Sequence, residues 1–167
     1  DSGLTYDSTA TATVSGLWHL RGQTVAVLAD GKIHPNVVVD SAGKVTLNYT
    51  ASVIQIGLPV RARFKSMRLE TLTQTGTAQG KRKVINKVSV RCIDSTGFKY
   101  GRDFTTMKRK EFALQSQPLS TAIPLFNGDK TVDWPGEWGP DAFLCLENDM
   151  PVPFGVAAIF PHIEVTQ

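Results

Sequence analysis

The sequence contains few of the residue clusters on which enzymes and metal-binding proteins depend. It has two cysteines and three histidines in 167 residues. Cys92 and Cys145 each lie in an alternating apolar run and form no C-x-x-C pair, so we expect two buried free thiols; a disulfide would require Cα atoms within about 7 Å. His19, His34 and His162 lie far apart and form no H-x-H or H-x-x-E-H motif, so we expect structural or surface roles for them.

The acidic residues and glycines form no catalytic or phosphate-binding arrangement either. The glycines do not follow the order G-x-G-x-x-G. Four acidic residues are spaced by four, but Pro135, Gly136 and Pro140 exclude the helix that would bring them together, which favours a solvated loop over a calcium site. These four are Asp129, Asp133, Glu137 and Asp141. We therefore predict no enzymatic activity, no bound metal and no cofactor.

Long apolar runs and charged residues are also scarce. No run approaches the roughly 18 apolar residues of a membrane-spanning helix, and no signal peptide is visible, so we predict no membrane span. Charged residues make up only 20% of the chain, whereas 14 glycines and 9 prolines are typical of a turn-rich β protein. We expect residues 1–167 to form a single β domain, and, because the chain begins at Asp1 without methionine, to be a fragment of a longer protein.

The clearest local signal is a hairpin within the stretch SGLWHLRGQTVAVLADG, residues 15–31. Residues 24–29 are β-branched and apolar, as in a strand. Asp30 and Gly31 follow directly, and this pair is a strong signal for a type I′ turn, which needs positive φ at both central residues. The sequence therefore predicts a two-residue hairpin loop and a returning strand at 32–39.

Alternation of apolar and polar residues recurs along the rest of the chain. It predicts roughly ten or eleven short strands at 8–12-residue spacing and no helix. We therefore predict an all-β fold, an antiparallel β-sandwich or barrel of roughly ten short strands with long loops. Residues 71–80 lack apolar periodicity and predict a mobile loop, and the basic run at 81–83 behind it is expected to be solvated surface.

A formal net charge of +3 makes the chain mildly basic. Alternation over Val60–Met67 places Arg61, Arg63 and Lys65 on the water-facing side of a predicted strand, which suggests either ordinary solvated surface or an interface with an acidic partner. Trp138 is a further candidate interface residue. Small basic clusters of this kind do not indicate sequence-specific binding of nucleic acid.

Several motifs in one order resemble a known family. They are Gly16-Leu17, His19-Leu20, Gly22, Thr24-Val25, Leu28-Ala29-Asp30-Gly31, Ile56-Gly57-Leu58-Pro59, Thr77-Ala78-Gln79-Gly80, Gly128-Asp129-Lys130-Thr131-Val132 and Trp134-Pro135-Gly136. In this order they resemble the tail tubular, or nozzle, proteins of short-tailed T7-like bacteriophages and related phage and prophage virion proteins. The resemblance covers most of the chain.

The resemblance implies a structural role in a virion. Proteins of this family are made in the bacterial host cytoplasm and become part of the phage tail, where copies assemble as a six-fold ring and contact other tail proteins. The ring forms part of the conduit through which DNA leaves. The resemblance therefore predicts that this chain acts through oligomeric assembly.

Two tryptophans near turns leave a second function open. Trp134 and Trp138 lie beside turns and could form a stacking platform for sugars or bases; a β-sandwich binding module for a glycan or receptor is therefore the alternative function. Alternatively they pack the loop onto the sheet, which is what the resemblance implies for Trp134-Pro135-Gly136.

Overall fold

The computed structural model describes residues 3–73, 76–112 and 122–166. It is 61% strand and 2% helical, which confirms the predicted all-β antiparallel fold. One 3-10 turn spans Trp18–Leu20. The strands are β1 (Leu4–Ser15), β2 (Thr24–Ala29), β3 (Lys32–Val38), β4 (Lys44–Gly57), β5 (Ala62–Lys65), β6 (Leu72–Thr73), β7 (Gly76–Thr77), β8 (Lys83–Ser95), β9 (Gly97–Gly101), β10 (Lys108–Glu111), β11 (Phe126–Asp133), β12 (Cys145–Asn148) and β13 (Gly155–Val165).

The described chain divides into two compact units. Unit 1 contains residues 3–61, 122–124 and 149–152, and unit 2 contains the other described residues. Each unit has its own hydrophobic core. The prediction of a single domain over 1–167 stays a prediction.

Unit 1 is built on one four-stranded antiparallel sheet in the order β1-β4-β2-β3. Its buried core is aliphatic. The strands alternate Val, Ile, Leu and Ala with polar residues, so the apolar side chains lie on one face of the sheet and are buried together. The core residues are Val14, Leu17, Leu20, Val25, Val27, Ala29, Val39, Val45, Leu47, Ala51, Ile54 and Ile56.

The predicted hairpin of unit 1 is confirmed. Asp30 has φ 49° and Gly31 has φ 72°, the positive pair that a type I′ turn requires, and Ala29 lies opposite Lys32. The Asp30 carboxylate accepts hydrogen bonds from the backbone N–H groups of Ser52 and Val53, with its Oδ1 at 3.1 and 2.8 Å. The turn is therefore fixed to β4 as well as to its own strands.

Unit 2 is a sandwich of two antiparallel sheets, with strand orders β10-β9-β12-β5 and β11-β8-β13. Both sheets contribute side chains to one core, which includes Phe98, Tyr100, Phe112 and Trp134. In the described part of the chain no sheet closes into a barrel. The short hairpin of β6 and β7 lies within the stretch predicted to be loop, so that prediction missed two strands.

No helix among the described residues has the length and apolar character needed to cross a bilayer.

Candidate functional site

The motif around the 3-10 turn serves the core of unit 1. Leu17 and Leu20 are buried there. Gly16 and Gly22 have φ 102° and 73°, conformations that residues with a side chain rarely adopt. His19 between them is exposed. These residues of the family-like motif thus determine how the chain enters β2, with Leu17 and Leu20 in the core and His19 exposed.

The second part of the motif lies where β4 of unit 1 ends. Gly57 is the last residue of that strand. Leu58 and Pro59 follow it and are exposed, Leu58 to 47%. This segment therefore presents apolar surface to solvent and contributes little to the core.

The tryptophan loop of unit 2 separates the two tryptophans. Trp134 is buried, with its ring centroid 5.4 Å from that of Tyr100, so its predicted packing role is confirmed. Pro135 follows it, and a Cβ on Gly136 would lie 2.2 Å from the carbonyl oxygen of Ile85, so only glycine fits there. Trp138 is 43% exposed. The two tryptophans do not form one exposed stacking platform.

The predicted basic strand is shorter than its alternation suggested. β5 covers Ala62–Lys65, so Arg63 and Lys65 lie on the strand and Arg61 lies before it, in residues assigned to unit 1. The prediction that all three share a strand face is therefore wrong for Arg61. Leu58-Pro59 lies shortly before Arg61. Proline favours extended or turn backbone and has no backbone N–H to donate to a neighbouring strand.

A buried carboxylate holds part of this basic surface in place. Arg63 Nε donates to Glu147 Oε2 at 2.6 Å, and Glu147 is only 5% exposed. Lys99 Nζ lies 3.6 Å from the other oxygen of Glu147. The strand register places Glu147 directly opposite Arg63 on one side and Lys99 on the other, so one carboxylate serves cations of both neighbouring strands.

The register extends this row to the far edge of the sheet. Arg109 on β10 lies opposite Lys99 on β9, so the row reads Arg109, Lys99, Glu147 and Arg63 across four strands. We call Arg109, Lys99, Arg63 and Lys65 the cationic face. Like charges opposite each other, as at Arg109 and Lys99, cost free energy in a sheet. No local pattern in the sequence distinguishes Lys99, Arg109 or Glu147, because only strand pairing brings them into one row.

The basic run at 81–83 is not all solvated surface. Lys83 is 1% exposed, and its Nζ donates to Glu70 Oε1 at 2.7 Å and to the Leu69 carbonyl at 3.3 Å. Its backbone also pairs with that of Gly139. The expectation of a solvated basic cluster is therefore wrong at Lys83. β8 begins at this residue, and its ammonium group binds the preceding chain at Leu69 and Glu70.

An open apolar groove of about 440 Å³ lies between β5 and β13 in unit 2. We call it the β5–β13 groove. Phe64 and Val156 on its walls are 47% and 38% exposed. Its lining is Ala62, Arg63, Phe64, Leu146, Phe154, Val156, Ala157, Ala158 and Ile159. It contains no carboxylate, thiol, hydroxyl or imidazole side chain, so its surface is suited to contact and offers no group for acid–base or nucleophilic chemistry.

The nucleophilic and metal-ligating side chains are not brought together. Both cysteines are free and buried, as predicted, and burial raises the pKa of the Cys92 thiol and of the Cys145 thiol. His34 is buried, with Nδ1 2.7 Å from the Pro35 carbonyl and Nε2 accepting from the Asn48 N–H. Among the described residues no three His, Cys, Asp or Glu side chains converge as a metal site would require.

No protein-family model and no curated protein matches this chain. The resemblance to nozzle proteins stays a prediction from the motifs.

Proposed function

We propose that this chain is a structural component of a bacteriophage tail, part of the nozzle, that works through assembly with copies of itself and with other tail proteins. In this role it contributes to the wall of the conduit through which DNA leaves the particle. It needs no cofactor, and its place of action is the virion.

The observation that carries the proposal is that, among the residues the structure describes, no strand pairs with the outer edge of β5 in unit 2, next to the cationic face. Arg63 and Lys65 on β5 flank Phe64, whose ring is exposed in the β5–β13 groove. An edge strand, an apolar groove and exposed cations are elements by which proteins dock onto one another in a set register.

The placement of the family-like motif supports the same role. Leu17, Leu20 and Trp134 are buried, and Asp30 and Gly31 form a turn that is tied to the neighbouring strand. The residues that carry the resemblance thus mainly secure the fold. A motif that secures the fold suits a component whose task is to be a rigid part of a larger assembly.

The binding-module alternative has less support. Because Trp134 lies in the core, only Trp138 of the predicted pair has an exposed ring for a sugar, and sugar platforms generally use exposed aromatic faces. Trp138 is instead available as an interface residue, beside Arg82, whose Nη2 donates to the Trp138 carbonyl at 2.9 Å.

The proposal is tested by locating the chain in particles. Phage particles purified from the producing bacterium should contain the protein in several copies per tail, as measured by quantitative mass spectrometry against the major capsid protein. Purified chain should also form oligomers by light scattering and give no specific signal on a glycan array. Absence from purified particles would overturn the proposal, and a monomer with specific glycan binding would favour the alternative.

A further inference from the structure

β5 forms one edge of its four-stranded sheet. β5 is the last strand of its sheet and pairs through its whole length with β12, from Ala62 opposite Asn148 to Lys65 opposite Cys145. In the described part of the chain no strand pairs with its other side. Unpaired N–H and C=O groups on such an edge are a template for one more strand.

The two faces of β5 differ in chemistry. Phe64 points into the β5–β13 groove with Leu146, its partner on β12. Arg63 and Lys65 lie on the opposite face, where Arg63 bonds to Glu147 and the Lys65 ammonium lies 4.6 Å from the Phe143 ring centroid. A strand added at this edge would meet apolar surface at one position and a cation at each neighbouring position.

We propose that β5 binds an extended segment of another protein, in which two acidic residues flank an apolar residue, and that this segment adds as a fifth strand of the sheet. Its apolar side chain fills the β5–β13 groove against Phe64, and its carboxylates lie opposite Arg63 and Lys65. Cross-strand pairs of opposite charge favour this register, and backbone hydrogen bonds supply affinity. The inference rests on the proposed function, because it names the chemistry of the partner in assembly.

The sequence excludes a second copy of these 167 residues as the source of the segment. Of its 15 acidic residues, only Glu147 and Asp149 are separated by a single residue. The residue between them is Asn148, which is polar, and Glu147 is itself buried in the row that includes Arg63. The acidic–apolar–acidic segment therefore comes from outside these 167 residues.

The probe is a seven-residue capped peptide of alternating glutamate and valine, with a lysine–valine peptide of the same length as its control. Titrated into the ¹⁵N-labelled 167-residue chain, the acidic peptide should give saturable amide shifts confined to β5, β12 and β13, and should protect β5 amides from hydrogen exchange. The basic peptide should give none. Shifts spread over unit 1 or over β10, or no saturable shift, would overturn the proposal.

Charge reversal at one position separates strand addition from general attraction. Lys65→Glu should weaken the acidic peptide by about fivefold or more and should allow the basic peptide to bind. Lys108→Glu, on the opposite edge of the same sheet, is the matched control and should leave both titrations unchanged. Equal losses in the two variants would show that the peptide responds only to overall charge, and would refute the assigned site.

Removal of the groove contact provides a second variant. Phe64→Ser removes a half-exposed ring and should weaken the acidic peptide while leaving the melting temperature nearly unchanged. Undiminished binding would show that the groove is not used. These peptide results and the particle test are independent: failure of the peptides with the protein present in tails removes only this inference, whereas absence from tails removes the proposed function.

Discussion

The two units secure their buried polar groups in different ways. In unit 1 the core is aliphatic, and the buried His34 bonds to backbone groups, the Pro35 carbonyl and the Asn48 N–H. In unit 2 the core contains four buried aromatic residues, and the buried Lys83 and Glu147 are held by oppositely charged side chains. Unit 1 thus depends on turn and strand geometry, whereas unit 2 also depends on ion pairs that join distant parts of the chain.

This difference determines what a substitution does in each unit. A hydrogen bond between neutral groups contributes about 1 kcal/mol, whereas removal of one partner from a buried ion pair leaves an uncompensated charge and costs about 3–5 kcal/mol. The strongest single effects should therefore come from unit 2.

The largest expected effect is at Glu70. The Lys83 side chain has no exposure, and Glu70→Ala leaves its ammonium group with the Leu69 carbonyl as the remaining acceptor. This substitution should lower the free energy of unfolding by about 3–5 kcal/mol. This loss is measured by urea denaturation of the whole chain, with near-ultraviolet circular dichroism as the signal. The double variant Glu70→Leu with Lys83→Met should recover most of the loss, because neither charge then remains. A single-variant loss under about 1 kcal/mol would show that the pair behaves like an exposed one.

Glu147 should show the next largest effect. Glu147→Gln keeps the shape but removes the charge between Arg63 and Lys99, and should cost about 2–3 kcal/mol. Because the cations of neighbouring strands then repel one another, added salt should restore part of the stability. A variant whose stability does not respond to salt would contradict the role assigned to this carboxylate.

The stability of unit 1 should depend on glycines with positive φ. Gly31 and Gly22 have nearly equal φ, 72° and 73°, but a Cβ on Gly31 would lie 2.7 Å from the Ala122 Cβ, whereas a Cβ on Gly22 meets no atom within 4 Å. Gly22→Ala should cost about 1 kcal/mol from conformation alone, and Gly31→Ala about 1–2 kcal/mol more, by thermal or urea unfolding. Equal costs would show that the contact with Ala122 yields freely.

The smallest effect should be at the exposed pair of Arg91 and Asp129 in unit 2. The Arg91 guanidinium donates to the carboxylate at 2.8 Å and lowers the pKa of Asp129. A carboxyl whose pKa is lower in the folded state stabilises above its unfolded pKa and loses that contribution as the pH falls through its folded pKa. The melting temperature of wild type should therefore slightly exceed that of Asp129→Asn at pH 7, and the difference should vanish in strong acid. A difference that grows in acid would contradict the sign.

Local signals in the sequence were sufficient for much of unit 1. Asp30-Gly31 predicted its turn because the φ requirement is a property of two adjacent residues. Alternation predicted strands in both units, and the apolar surroundings of the two cysteines predicted their burial.

Local sequence signals were not sufficient where the environment of a residue is formed by residues far from it in the sequence. Lys83 belongs to a basic run that is solvated in most proteins, and only the fold brings Glu70 to it. Glu147 is 84 residues from Arg63, and nothing local distinguishes it from a surface acid. The alternation of apolar and charged residues begins at Val60, whereas the pairing of β5 with β12 begins at Ala62. The sequence therefore predicted Arg61 to lie on the strand, but it lies before it.

Electron cryomicroscopy of intact particles tests whether this chain acts through its surfaces within a phage tail. We expect the two units to fit density in a ring around the tail channel, with an additional strand of another protein beside β5. Particles whose tails contain no density for this chain would contradict the proposed function. Density that leaves the β5 edge and the cationic face open to solvent would contradict the proposed mode of assembly.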